Sequence, residues 1–279
     1  MAPHIASASS FLFVPANRPE RYAKALASGA DAVIVDLEDA VALPQKEQAR
    51  QVLAHWLRQQ GPQPRLWVRI NAADTVWHDD DLASFAALSI AGIVLPKAEQ
   101  AKGLSAIARR LGPGRGLIAL IESAAGLAAM REIAAVPGVQ RLAFGSIDAQ
   151  VDLGMQCGPE EEELTHFRLE MVMASRLGGI APPIDGVTPD FNDDALLERV
   201  VARARRLGFG AKLCIHPRQV VAVRRGFMPS QDELAWAGAV MAAVQASDGG
   251  AISLDGKMID RPVILQAEKF LRQAGLLPD

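Results

Sequence analysis

The sequence predicts a (β/α)8 barrel, a TIM-type fold, carrying a C-terminal helical extension, and three observations predict it. Eight short β-type runs alternate with helix-patterned stretches over about 220 residues, the order that a parallel barrel needs. Most of these runs are near-continuously apolar, as in parallel strands covered on both faces. The first strand-to-helix turn, VPANRPER, holds no glycine, whereas a doubly wound open sheet opens on a G-x-G-x-x-G turn.

In chain order the strands are expected at FLFVPA (11–16), AVIVDLE (32–38), RLWVRIN (65–71), GIVLPKA (92–98), LIALIES (117–123), RLAFGSID (141–148), PPIDGV (182–187) and AKLCIHP (211–217). The first helix should start at NRPERYAKALASG, with Asn17 as N-cap, Glu20 three residues on, Pro19 in the first turn and Gly29 as the stop. PQKEQARQVLAHWLRQ places Ala49, Val52, Leu53, Trp56 and Leu57 on one helical stripe. EEELTHFRLEMVMASRLGG does the same with Leu164, Phe167, Met171, Val172 and Ala174, a stripe for core or subunit contact. GPGRG (112–116) is a turn without the Lys and Ser/Thr of a phosphate loop. Beyond the eighth strand, QDELAWAGAVMAAVQA reads as a helix, SDGGAISLDGKMID as a loop with a short hairpin, and RPVILQAEKFLRQAG as a final helix. The expected division is therefore a barrel over residues 1–228 and an extension over residues 229–279, docking on a neighbouring subunit.

Bulk composition narrows the function. The chain has 279 residues, half of them hydrophobic, with a formal net charge of −3, so nucleic acid and membrane surfaces are not expected partners. Any anionic ligand must be met by local basic residues. Two distant cysteines, Cys157 and Cys214, make no metal spacing and suit a reducing cytoplasm. The start, MAPHIASASS, has no signal-peptide pattern, and no apolar run approaches the roughly 20 residues of a membrane span.

A barrel presents its chemistry at the C-terminal ends of its strands. Those ends read Asn17; Glu38 and Asp39; Arg69 and Asn71; Lys97; Glu122; Asp148; Asp185; and His216. Glu122 and Asp148 end adjacent strands, where two carboxylates repel unless they share a proton or a cation. With oxygen donors only, the cation would be Mg²⁺ or Mn²⁺; alternatively the acids pair with Arg69 or Lys97. Arg69 suits a bidentate grip on a substrate carboxylate, oriented by Glu38 or Asp39. Arg18, Arg21 and Lys24 form a positive patch around the first helix, either a phosphate contact or a solvated face. His216 reads as a structural hydrogen-bonding residue and Cys214 as packing. Asp260, ahead of Pro262, reads locally as a cap for the last helix.

Taken together, FLFVPANRPERYAKA, AVIVDLEDAV, VRIN, VLPKAE, IESAAG, AFGSID, IDGV, CIHPRQV and GKMIDRP resemble the citrate lyase β-subunit-like branch of the HpcH/HpaI aldolase family, in order and over nearly the whole chain. The sequence departs from the common pattern at Ala16, at Ile147, Ala149 and Gln150, and at Val187–Pro189. The resemblance implies a barrel of the phosphoenolpyruvate/pyruvate-binding type, a homotrimer or a multiple of it, and a divalent metal on Glu122 and Asp148. It implies that Arg69 binds the substrate carboxylate, that Arg18 and Lys24 meet CoA phosphates, and that Asp260 transfers a proton in a neighbouring subunit's site; Lys97, from its strand-end position, is a further expected substrate- or CoA-binding residue. The expected reaction is reversible Claisen-type cleavage of a carboxylated 3-hydroxyacyl-CoA, such as malyl-CoA or citramalyl-CoA, to acetyl-CoA and a 2-oxo acid. Alternatives are a CoA-free class II aldolase, a malyl-CoA thioesterase or malate-synthase-like enzyme, and a citrate lyase β subunit acting on an acyl-carrier thioester.

Overall fold

The structure is a computed structural model that describes residues 5–247, 252–254 and 256–277. Part of the expected SDGGAISLDGKMID loop, residues 248–251 and 255, lies outside the described residues. Eight parallel strands close into a barrel in sequence order: β1 (Ser10–Pro15), β2 (Ala32–Asp36), β3 (Gln63–Arg69), β4 (Ile90–Leu95), β5 (Gly116–Ile121), β6 (Val139–Phe144), β7 (Ile184–Asp185) and β8 (Ala211–Cys214). β1 closes the ring on β8 with Leu12 opposite Cys214. The connecting helices are α1 (Tyr22–Leu26), α2 (Lys46–Gln60), α3 (His78–Phe85), α4 (Ala101–Leu111), α5 (Ala124–Ala134), α6 (Ser146–Asp152), α7 (Thr165–Leu177), α8 (Asp194–Leu207) and α9 (Pro217–Phe227).

The period of two along each strand divides the side chains between the barrel interior and the surrounding helices. Phe11, Ile34, Trp67, Val94, Ile118, Leu120, Ala143, Ile184 and Leu213 pack into one buried interior cluster. The same alternation carried onward points Asp36, Arg69 and Glu122 along the interior side, above Ile34, Trp67 and Leu120. At the opposite end the interior is sealed by Arg141, which is fully buried and stacked 5.5 Å from the Phe11 ring. Its guanidinium donates to the carbonyls of Ala8 (2.6 Å) and Pro182 (2.7 Å). With no carboxylate beside it, burial lowers its pKa to about 9.

Several local expectations are corrected. The first helix is split into a 3-10 turn, Pro19–Arg21, and the short α1. Asn17 does not cap it: the N-cap position of the turn is Arg18, whose side chain makes no capping bond, and the Asn17 amide donates to Gln45 instead. The β6 strand stops at Phe144, so Asp148 is no strand terminus but sits in the first turn of α6. β7 shrinks to two residues, because Pro182 and Pro183 supply no N–H to a ladder. Glu38, Asp39, Asn71, Lys97, Glu122 and His216 all lie just past their strands. Asp185 remains in its strand but is fully buried, held by Arg168 (2.9 Å) and Lys212 (3.3 Å), and so supports the barrel wall.

The chain divides into two compact units, Met1–Arg224 and Arg225–Asp279. The second contains α10 (Gln231–Gln245), the antiparallel pair β9 (Ile252–Leu254) and β10 (Lys257–Ile259), and α11 (Arg261–Gln273). α10 begins with a capping box between Ser230 and Glu233. Ala237, Val240, Ile259 and Ala267 form the unit's small core, with Trp236 edge-on to Phe270 at 6.1 Å. No helix among the described residues is long and apolar enough to cross a membrane.

Candidate active site

At the C-terminal mouth of the barrel a cavity of about 520 Å³ is lined by Phe13, Asp36, Asp39, Arg69, Leu120, Glu122, Asp148, Val187 and Ile215, among others. Its floor is apolar and its rim is acidic. Arg69 is its central cation, nearly buried beneath the Phe13 ring at 4.9 Å. Its Nε and Nη2 donate to the two oxygens of Asp36 at 2.6 Å each, a bidentate fork. Nη1 faces Glu38 Oε2 at 2.9 Å and Asp39 Oδ2 at 3.5 Å. The Glu38 oxygen lies outside hydrogen-bonding geometry and is buried without a donor. Burial would lower the Arg69 pKa, but Asp36, with Glu38 and Asp39, outweighs it and holds it raised.

Asp36 is the residue that sequence reading missed. It is the first of three acids in the run D-L-E-D, and the expected strand extended past it to Glu38. The inward parity of positions 34 and 36 could have found it. Asp36 also accepts from the backbone N–H groups of Glu38 (2.9 Å) and Ala40 (3.0 Å), so one carboxylate fixes both the loop and the guanidinium. Lys46 reaches back from α2 to the carbonyls of Leu37 (2.9 Å) and Glu38 (2.7 Å) and stiffens the same turn.

Glu122 follows β5 and is 3% exposed. Its Oε1 accepts from the Lys97 backbone N–H at 2.7 Å. Lys97 has φ of +45°, a left-handed conformation rare outside glycine, and this bend belongs to the backbone that presents the N–H. The I-E-S-A-A-G stretch has a separate task at each polar position. Glu122 enters the cavity; Ser123 caps α5, accepting from Gly126 N at 3.2 Å; Gly126 lets α5 approach the strand-four loop, where a Cβ would stand 2.8 Å from the Ala98 carbonyl. Gly145 is required next door, since a Cβ there would meet Glu122 Oε2 at 2.4 Å.

Burial pushes Glu122 up to about 7 and Glu38 up to about 8, against the pull of the Lys97 N–H and of Arg69 respectively. Asp148 is raised too, by burial and then by Asp39. Asp36, Glu38, Asp39, Glu122 and Asp148 thus crowd one mouth around one buried guanidinium. Such a set is deficient in positive charge, and its hard oxygens match a divalent cation that takes one or two carboxylates and leaves the remaining positions to water and substrate. Among the described residues no cluster of three or more His, Cys, Asp or Glu forms a complete protein cage. Glu122 and Asp148 are the pair available to hold such an ion.

The structure therefore gathers Glu38, Asp39, Arg69, Glu122 and Asp148. Lys97 contributes its backbone, while its exposed side chain lies near enough to Asp148 to favour the charged carboxylate. Arg18, on the β1–α1 connection, and Lys24, in α1, are exposed outside the cavity lining, and Arg18 pairs with Glu20 at 2.6 Å. Asp260 belongs to the second unit, where its Oδ1 caps α11 by accepting from Val263 N at 3.2 Å. His216 Nδ1 accepts from the Arg218 backbone N–H at 3.2 Å, a hydrogen-bonding role as expected. Cys214 is buried, its thiol pushed up to about 12, and it packs.

Comparison with known proteins places this geometry in context. The family described as HpcH/HpaI aldolase/citrate lyase matches residues 9–217. A citrate lyase subunit beta-like protein of Mycobacterium tuberculosis is 39% identical over 277 residues, covering 97% of each chain. A (3S)-malyl-CoA thioesterase of Cereibacter sphaeroides is 33% identical over 270 residues, covering 95% of this chain and 94% of that one. Among solved structures, protein CitE from Mycobacterium tuberculosis, in complex with magnesium, acetoacetate and coenzyme A, superposes with a TM-score of 0.85 at 37% identity, covering 97% of this chain and 100% of that one.

Proposed function

Because the chain belongs to the HpcH/HpaI aldolase/citrate lyase family, we propose that it is a Mg²⁺-dependent carbon–carbon lyase. Its substrate is a carboxylated 3-hydroxyacyl-CoA such as malyl-CoA or citramalyl-CoA, and its products are acetyl-CoA and a 2-oxo acid. The observation that carries this reading is the single cavity in which Glu122 and Asp148 face Arg69 amid excess acid.

Glu122 and Asp148 would hold the ion. Bound there, Mg²⁺ supplies Lewis acidity to the carboxylate and hydroxyl oxygens of the substrate. Arg69 binds the substrate carboxylate through the donor capacity that Asp36 leaves unused, chiefly on Nη1. Asp36 and Glu38 hold the guanidinium rigid, which lowers the orientational cost of the reaction. The hydroxyl proton passes to a carboxylate of the acid-rich mouth, Glu38 or Asp39, as the carbon–carbon bond breaks and its electron pair passes to the thioester as an enolate. Asp260, supplied by the extension of a neighbouring copy, gives a proton to that carbon; in the reverse direction it removes one. Arg18 and Lys24 meet the phosphates of the carrier. We place the reaction in the cytoplasm, which two unpaired cysteines suit. A homo-oligomer, a trimer or a multiple of it, is supported by the exposed α7 stripe Leu169, Met173 and Leu177; a single-subunit mass by light scattering would remove it.

The test is turnover of malyl-CoA, citramalyl-CoA and 3-hydroxy-3-methylglutaryl-CoA with Mg²⁺ and with EDTA, following keto acid and free thiol separately. Metal-dependent keto acid without free thiol is expected. Free thiol alone would favour the thioesterase reading, which the Cereibacter sphaeroides relative supports. Silence on every thioester would overturn a CoA-dependent function.

A further inference from the structure

The two acids of the cavity are held differently. Glu122 is aimed by the Lys97 N–H, whereas among the described residues Asp148 accepts no hydrogen bond from another residue, so its place depends on how α6 is held. That helix has seven residues, and its anchor lies outside the cavity lining. In its first turn Ser146 Oγ donates to Glu161 Oε1 at 2.8 Å. One turn on, Gln150 Nε2 donates to the same oxygen and to the Ser146 carbonyl, at 3.2 Å each. Residues four apart share a helix face, and the residue midway between them projects from the opposite side. Holding Ser146 and Gln150 therefore sets the rotation that aims Asp148. At the end of α6, Asp152 accepts from the Ala124 N–H at 2.7 Å, two residues past Glu122.

Glu161 belongs to the connection between α6 and α7 and has φ of +51°, in the left-handed region rare outside glycine. Such a conformation persists where its surroundings over-determine it. Here Arg168 grips both ends of the residue: Nη1 donates to the Glu161 carbonyl at 3.0 Å and Nη2 to Oε2. Arg168 is 1% exposed, stacks 5.1 Å from the Phe144 ring and donates from Nε to Asp185 at 2.9 Å. Lys212 completes the wall by donating to the Gly186 carbonyl at 2.6 Å, and a Cβ at Gly186 would stand 2.6 Å from Ser146 Oγ. One oxygen of Glu161 thus serves the barrel wall and the other serves α6. A salt bridge to Arg168 alone would not need the second.

We propose that Glu161 is a positioning residue for the divalent ion: from outside the cavity it clamps α6 to the barrel wall, so that Asp148 and Glu122 converge on one cation. The inference rests on the reading in which those two acids hold the metal, and its test is metal binding without turnover. Mn²⁺ binding, followed by the spin-resonance signal of the free ion, would be compared in full-length wild type, Glu161→Ala, Glu161→Gln, Ser146→Ala, the Glu161→Ala/Ser146→Ala double variant and Glu122→Gln, beside a urea midpoint for each. Glu161→Ala and Ser146→Ala should each weaken Mn²⁺ about tenfold, the usual effect of removing a residue that orients a metal ligand. The double variant should lose no more than either single one, because both break the same tie. Glu161→Gln offers the Ser146 hydroxyl a hydrogen bond in either amide orientation. It should bind Mn²⁺ as wild type does, even though its weaker hold on Arg168 lowers the urea midpoint. If Glu161→Ala does not fold, Ser146→Ala, which leaves the Arg168 pair intact, decides. The clamp is overturned if these variants bind Mn²⁺ as tightly as wild type, if affinity simply follows the urea midpoint across the set, or if the two single losses multiply in the double variant. Undiminished binding by Glu122→Gln would place the ion elsewhere and sink the metal reading with the clamp. Glu161-dependent Mn²⁺ binding without keto acid from any thioester would sink the lyase chemistry and leave the clamp standing.

Discussion

Asp36 grips the Nε–Nη2 edge of the Arg69 guanidinium in a setting where both partners are buried. Removing one partner of a buried pair strands the other and typically costs about 3–5 kcal/mol. Asp36→Asn should therefore lower the unfolding midpoint and raise KM more than it lowers kcat, because Arg69, the proposed carboxylate-binding residue, loses its aim while Glu122 and Asp148 keep theirs. Stability by urea titration and steady-state kinetics check this; an unchanged KM would mean that Arg69 does not bind substrate. A second acid makes a pH prediction. Burial alone would raise Asp185, but Lys212 and Arg168 outweigh it and hold its pKa at about 2, below the ordinary 3.8. A depressed carboxylate contributes stability that is fully present above its unfolded pKa and lost as pH falls through its folded one. Here that is about 2 kcal/mol between pH 4 and pH 2. Urea midpoints from pH 7 to pH 2 should show wild type and Asp185→Asn converging as acid is added. Such roles mark the limit of reading residues one at a time. Glu122 and Arg69 stood out because a charge closes an apolar run, whereas Asp36 was hidden behind two further acids. Asp185 looked like any other strand-end acid until the buried Arg168 on α7 appeared beside it.

Elements show the same division. The strands were legible from apolar runs, and each was found, because a strand covered on both faces has no polar position to blur its outline. Boundaries were not, since chain geometry rather than polarity ends a strand. Asp148 reads as the terminus of R-L-A-F-G-S-I-D, yet Gly145 breaks the run and the acid is carried into the first turn of α6. Asn17 has the right spacing for a cap, but Pro19 starts a 3-10 turn one residue later and Asn17 turns to Gln45. At the last helix Asp260 is a cap in the structure and the proton donor of the proposed mechanism, and chemistry can separate the two roles. Asparagine caps as well as aspartate, whereas alanine costs about 1 kcal/mol. Asp260→Asn should keep the stability of α11 and reduce cleavage by at least 100-fold, while Asp260→Ala should lose both. Circular dichroism melts beside turnover assays distinguish them, and near wild-type cleavage by Asp260→Asn would rule out the proton-transfer role.

On the scale of the whole molecule, the barrel class was legible because the rhythm of its elements repeats eight times, and the resemblance followed because its motifs kept their order. The acid-rich mouth was legible only as a list of residues; its surplus of negative charge emerges when the ring closes and brings β2, β3, β5 and α6 together. Closure has another consequence at the opposite end. The buried interior cluster floors the cavity and Arg141 closes the far end of the barrel, so among the described residues a ligand seated on the floor leaves by way of the mouth. In a cleavage reaction the fragment lodged between Arg69 and Glu122 cannot depart past a partner still lying along Ile215 and Val187. For the proposed cleavage, product release should then be ordered, thioester first and 2-oxo acid second. Initial-rate inhibition should show the 2-oxo acid competitive against the acyl-CoA and acetyl-CoA noncompetitive, so that the enzyme idles in its keto-acid complex whenever that product accumulates.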